Sequence, residues 1–147
     1  MISRGILCGL ILSAVCVLPV AQPVATAGKS KVNFRLRATV DASRSTESYL
    51  KLRRAQGAHL GRCTGFCDQI ALAPGICFGT MCLCSANGDE IAIFYVIGLN
   101  EDYIGNFQVV EGSGTGRLAG VRCQGLMEMI IDSRGNCQLE LEGTWSR

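Results

Sequence analysis

Cysteine is the residue type with most chemical scope in this chain of 147 residues, which carries nine. Seven of them follow residue 27: Cys63, Cys67, Cys77, Cys82, Cys84, Cys123 and Cys137. Five form a block spaced C-x3-C-x9-C-x4-C-x-C. Thiolates can hold zinc, attack electrophiles or pair as disulfides. Structural zinc prefers paired C-x2-4-C knuckles, which this block lacks, and no metal site is expected. Without C-x-x-C there is no thioredoxin-like motif. Disulfide pairing is therefore the expected use, with all seven as candidates. Seven is odd, so one thiol is left free or bridges to another chain. The sharpest pairing is Cys63 with Cys67 across a short loop at Thr64-Gly65-Phe66.

Other candidates are weaker. His59 is the single histidine, with no serine, cysteine or carboxylate partner at a recognisable spacing, so it reads as a rim residue. Asp89-Glu90 and Glu101-Asp102 are neighbours in sequence. On a strand neighbours face opposite ways, so neither pair offers two acids to one substrate. No catalytic residue is assigned. Lys51, Arg53, Arg54 and Arg62 read as a solvated basic face. Gly114, Gly116 and Ala119 match G-x-G-x-x-A after an apolar run. That fingerprint works only where a helix starts at the glycines, and "VRCQGLMEMII" follows, rich in β-branched residues. The glycines then serve strand-to-strand geometry, and no nucleotide cofactor is expected.

The elements that would position these residues begin after a targeting segment. Residues 1–27 join a short basic start to an apolar run and end in Ala25-Thr26-Ala27, the small-x-small pattern of signal cleavage. Cleavage after Ala27 predicts a secreted or periplasmic domain, 28–147, with no membrane span afterwards, in a compartment where disulfides persist. Taking Arg4 from the 14 basic residues leaves 13 against 12 acidic ones, a balance that argues against nucleic acid.

Period-2 alternation dominates the domain. In "KVNFRLRATV", Val32, Phe34, Leu36, Ala38 and Val40 share a face. The expected strands are 31–40, 48–54, 58–63, 67–72, 76–85, 89–98, 104–111 and 121–131, with 136–145 as a ninth; 41–57 is the least defined stretch. Asn87-Gly88 predicts a two-residue hairpin loop. It would set Cys84 opposite Ile91 and Cys82 opposite Ile93, with both cysteines inward. Ser133-Arg134-Gly135 predicts a three-residue loop that pairs Ile131 with Cys137, Met129 with Leu139, Met127 with Leu141 and Cys123 with Trp145. About eight short strands without a helix form a barrel or a sandwich, and a barrel removes exposed edges. The expected fold is all-β: a single antiparallel barrel of about eight strands, disulfide-stapled.

"GTGRLAGVRCQG", which contains Gly114, Gly116, Gly120 and Gly125, resembles the glycine motif of small secreted bacterial barrels similar to allene oxide cyclase and, more distantly, to dirigent proteins. "HLGRCTG" at 59–65 and "SANGDEIAI" at 85–93, with Asn87 and Gly88, resemble two further stretches of such proteins. "LEGTWSR" is similar to their last strand. The resemblance spans His59 to Trp145. It implies an eight-stranded antiparallel barrel with a central cavity, often oligomeric. Leu118 and Cys123 depart from the pattern, which puts an aromatic and a glycine there.

The leading functional reading is a non-enzymatic binder of a small apolar ligand in the barrel mouth, lined by Tyr95, Met127, Met129 and Trp145. The alternatives are plain core packing of those residues, a cyclase-like or isomerase-like enzyme, and a structural interaction module at the cell surface. In "IAIFYVIG" both faces are apolar, so the outer one needs cover; a homo-oligomer contact is the preferred expectation.

Overall fold

A strand that alternates large apolar and charged residues can bury only one face, and the first strand fixes which side of the molecule is inside. In a computed structural model that describes residues 31–72, 75–99 and 102–147, strand β1 (Val32–Val40) buries Phe34, Leu36, Ala38 and Val40. Its outward arginines meet glutamates of the last strand. Arg37 lies 2.7 Å from Glu140, and Arg35 pairs with Glu142. The expected targeting segment, 1–27, and its cleavage point lie outside the described residues.

Seven more strands follow: β2 (Tyr49–Gly57), β3 (Gly61–Leu72), β4 (Ile76–Ser85), β5 (Glu90–Gly98), β6 (Ile104–Val109), β7 (Arg122–Ile131) and β8 (Cys137–Ser146). Each pairs antiparallel with the next, and β1 closes on β8 from Val32 opposite Trp145 to Thr39 opposite Gln138. The result is a closed eight-stranded antiparallel barrel, as the alternation implied, with 136–145 as the eighth strand and no ninth among the described residues. The stretch 41–48 holds a 3-10 turn, Ala42–Arg44, capped by the Asp41 carboxylate, which accepts from the Ser43 amide at 3.1 Å.

The segments expected at 58–63 and 67–72 are one continuous strand, β3. The chain turns earlier, at Ala58–Leu60, where His59 (φ 68°) and Gly61 (φ 68°) take left-handed conformations. Gly65 is not a turn residue. A Cβ there would lie 2.2 Å from the Cys82 carbonyl oxygen, so glycine permits close approach of β3 and β4. With no loop at 64–66, the Cys63–Cys67 pairing fails: the two residues are four apart on one strand, roughly 13 Å, beyond the ~7 Å a disulfide spans.

Both hairpins named in the sequence are present, with different outcomes. At Ser133-Arg134-Gly135, the Gly135 amide donates to the Asp132 carbonyl at 2.9 Å, and the expected register holds from Ile131–Cys137 to Cys123–Trp145. At Asn87-Gly88 the loop has three residues, Ala86 to Gly88. Gly88 (φ 86°) takes the left-handed position and donates to the Ser85 carbonyl. The extra residue shifts the ladder by one, so Leu83 faces Ile91 and Met81 faces Ile93. That slip turns Met81 and Leu83 inward and Cys82 and Cys84 outward. Burying Met81 and Leu83, at about 25 cal/mol per Å² of apolar surface, outweighs the modest preference for a two-residue turn.

The disulfide framework is not formed: all seven cysteines are free. No register sets cysteine opposite cysteine. Cys63 faces Ser85, Cys67 faces Met81, Cys77 faces Ile97, and Cys137 faces Ile131. Hydrophobic packing is what fills the barrel. Large interior side chains and glycines share one layer, where Gly79 faces Tyr95, Tyr95 faces Phe107, Phe107 faces Gly125, and Gly125 faces Gly143. Glycine removes volume where aromatic rings must lie. Among the described residues no helix is long and apolar enough to cross a membrane.

Candidate functional site

Among the described residues a half-buried polar cluster borders the interior. The Tyr95 hydroxyl donates to Gln69 Oε1 at 2.9 Å, and Gln69 Nε2 donates to the Glu47 carbonyl at 2.9 Å. The ring lies over Gly79, where an added Cβ would come within 2.8 Å of Cζ. Cys67 approaches the same hydroxyl. Burial pushes the Cys67 thiol up to about 12, and does the same to Cys123. Desolvation likewise raises Cys63, Cys77 and Cys137, as it does Tyr95. These groups stay protonated near neutral pH, which suits packing rather than nucleophilic attack.

Tyr95 and Met127 are fully buried, Trp145 is 8% exposed, and Met129 packs against the core from its margin. The four do not line one mouth. Trp145 pairs with Val32 at the end where β1 begins, whereas Met129 pairs with Leu139 near the opposite end. Six residues along β8 separate those levels, roughly 20 Å. Trp145 stacks on Phe34 (5.4 Å between centroids) and on His59 (5.7 Å). His59 is thus a rim residue laid over the sole tryptophan, in a strained backbone conformation.

The glycine-rich segment 112–120 closes that same end. Gly116–Leu118 makes a single 3-10 turn, too short for a phosphate site, and drives Leu118 (4% exposed) beneath the barrel beside Val121. Gly116 (φ 53°) leaves room for Asp89, whose carboxylate would sit 1.9 Å from a Cβ there. Asp89 Oδ2 accepts from Arg117 Nε at 3.3 Å, and Thr115 Oγ1 accepts from the Glu90 amide at 2.8 Å. Asp89 therefore anchors the plug, while Glu90 stays exposed. Of Glu101-Asp102, Glu101 lies outside the described residues. Gly120 (φ 74°) turns the chain into β7.

A groove of about 500 Å³ lies on the outer wall, across β2 to β5. Tyr49, Asp68, Thr80 and Phe94 form one cross-strand row. Ile70 and Phe78, opposite each other, extend it. Tyr49 stacks on Phe66 at 5.6 Å, and Phe78 tilts against Phe94 at 6.5 Å. Sequence reading flagged the outer face of β5 as apolar but missed this row, because Phe66 and Ile70 share a face with it only once β3 runs unbroken, and Phe78 and Thr80 face outward only with the slipped β4–β5 register. Lys51, Arg53, Arg54 and Arg62 take part in no ion pair among the described residues, and Arg53, Arg54 and Arg62 are exposed. No group of three or more metal-ligating side chains occurs among the described residues.

Two pterocarpan synthase dirigent proteins have structures similar to this one. Each gives a TM-score of 0.51 over 82% of this chain, at 10% and 12% identity and covering 85% and 96% of their own chains. The fold is the dirigent-type barrel, the class shared with allene oxide cyclase. No family model and no curated protein matches the sequence. The dirigent-type barrel is thus shown at the level of topology: eight antiparallel strands in meander order, closed by β1 on β8.

Proposed function

We propose that the chain is an exported, non-enzymatic binding barrel that takes a small ligand with an apolar body in the groove of β2 to β5. The observation that carries this reading is the row of aromatic and aliphatic side chains left half-covered on the outer wall, beside an interior already filled by core side chains. A protein whose core is satisfied gains nothing from open aromatic rings unless something covers them. The likeness to pterocarpan synthase dirigent proteins supports a barrel that handles small molecules. Export rests on the leader at 1–27, and the mature chain would begin at Gly28. The interior set Tyr95, Met127, Met129 and Trp145 would serve a ligand only after repacking, which favours the outer groove.

The test is a titration with 2-phenylethanol followed by amide chemical shifts. Shifts concentrated at Asp68, Ile70, Thr80 and Phe94, and weakened in Phe94→Ser, are expected. Shifts confined to residues at the barrel ends, around Trp145 or Met129, would move the site inside and overturn the reading. A homo-oligomer forms the second part of the proposal. Val96, Ile104, Leu126 and Ile130 are exposed on the adjoining outer faces of β5 to β7, a face for a second copy that borders the groove where Val96 pairs with Phe78. Sedimentation of wild type against Leu126→Glu checks it.

A further inference from the structure

The groove's one charge decides what kind of ligand it favours. Asp68 lies mid-row, with Tyr49 and Thr80 directly across on either side and Phe66 and Ile70 two residues away along its own strand. It is exposed, and no Lys, Arg or His lies within ion-pair distance of its carboxylate among the described residues. Lys51, the cation closest in the register, sits opposite Phe66 and is not part of the groove lining. The other outer-wall carboxylates facing arginine find one: Glu140 and Glu142 pair with Arg37 and Arg35.

A lone carboxylate among four ring systems is an unusual wall for a purely apolar ligand. Aromatic faces carry negative potential and attract cations within about 6 Å of the ring centre. Tyr49, stacked on Phe66, lies directly across from Asp68, while Phe78 sits diagonal to it and Phe94 follows beyond Thr80 in the same row. The hydroxyls of Thr80 and Ser48, also in the lining, can accept from an ammonium. A carboxylate and aromatic faces therefore act on one charge of the same sign. The field of Asp68 is felt by its neighbours: it raises the pKa of Cys82, after the larger effect of desolvation.

We infer that the groove is a site for organic ammonium ions, a protonated amine on an aromatic or aliphatic body, with Asp68 as the counter-ion and the paired rings of β2–β3 and β4–β5 as its walls. This inference rests on the binding reading above and specifies its ligand. An amine's apolar body lies along Ile70, Phe78 and Phe94, and its charged head meets Asp68. Anionic ligands are repelled by the same carboxylate, and neutral ones forgo the charge interaction.

The test compares protonated 2-phenylethylamine, neutral 2-phenylethanol and anionic 3-phenylpropionate on the full chain at pH 7, read by amide shifts at Thr80 and Phe94. The ammonium is expected to bind about tenfold tighter than the alcohol, the combined scale of an exposed ion pair and a cation–aromatic contact. Asp68→Asn, a conservative change on an exposed side chain, should cut the ammonium-to-alcohol affinity ratio to about threefold, the share the aromatic rings supply. Salt at ~0.5 M should narrow the difference. Equal binding of ammonium and alcohol to wild type overturns the charge assignment but leaves the groove as an apolar site. A preference that stays at its full size in Asp68→Asn overturns the role of Asp68. Absence of groove shifts with all three probes overturns both this inference and the binding reading on which it rests.

Discussion

Raising the pH should unfold this barrel through its buried thiols. Cys67 and Cys123 face the interior, and burial lifts each from an ordinary 9.0 to about 12. In the unfolded chain both lose their protons from pH 9 upward, while the folded chain keeps them. The unfolded state then binds fewer protons, so stability falls as pH rises. The contribution is intact below pH 9 and is lost progressively as pH climbs towards 12. One pH unit corresponds to about 1.4 kcal/mol per group, so each thiol removes about 4 kcal/mol across the window. At pH 10 the pair together cost about 3 kcal/mol, a large share of a total of roughly 5–15 kcal/mol. Tyr95, also raised by burial, adds to the loss above pH 10. Urea unfolding at pH 7, 8, 9 and 10, with reductant present and Trp145 fluorescence as the signal, measures this directly. Cys67→Ala and Cys123→Ala lower stability at neutral pH through lost packing, yet each should flatten the slope above pH 9 by about 1.4 kcal/mol per unit. Unfolding free energies that stay level from pH 8 to 10, or slopes identical in wild type and both variants, would refute the argument.

Other outcomes follow from the packing. Gly125→Ala should cost at least 1–3 kcal/mol, since its Cβ would lie 2.0 Å from the Glu142 carbonyl oxygen. Gly88→Ala, with open space but φ 86°, should cost only about 1 kcal/mol; thermal unfolding that ranks them the other way contradicts the close strand approach. Leu118→Ala should lose about 2–5 kcal/mol by emptying the plug. Leu72→Ala, on a side chain 52% exposed and outside both the groove and the proposed contact face, should fall within about 0.5 kcal/mol of wild type.

Most of the barrel could be read from alternation, because a wall with one face on the core and one in water writes its period into the chain. The β7–β8 register was legible down to single pairs. There the left-handed position of Gly135 and the apolar pattern of both strands demand the same alignment. At Asn87-Gly88 those signals conflict: local turn preference favours two residues, and the volume of Met81 and Leu83 forces three. Gly65 misled for a related reason. A glycine that allows two backbones to approach looks, in sequence, like one that allows a turn. The groove was hidden because Tyr49, Asp68, Phe78 and Phe94 come from four strands, and it takes both the unbroken course of β3 and the slipped β4–β5 register to align them. Cysteine count suggested covalent stapling, whereas the thiols serve as small apolar side chains, a role that composition cannot distinguish from pairing.

Closure of β1 on β8 has a consequence for how the molecule comes into being. Val32 meets Trp145, so the last seam of the barrel joins its first strand to its eighth. Until β8 emerges from the ribosome, β1 has a free edge on one side and the chain can form only an open, curling sheet. Each earlier hairpin is local and quick, but the seam must wait for a loop spanning almost the whole domain to close. Folding of the barrel therefore waits for β8, and the final step is all-or-none. A truncation removing β8 would leave both β1 and β7 unpaired along one edge, a species prone to edge-to-edge association.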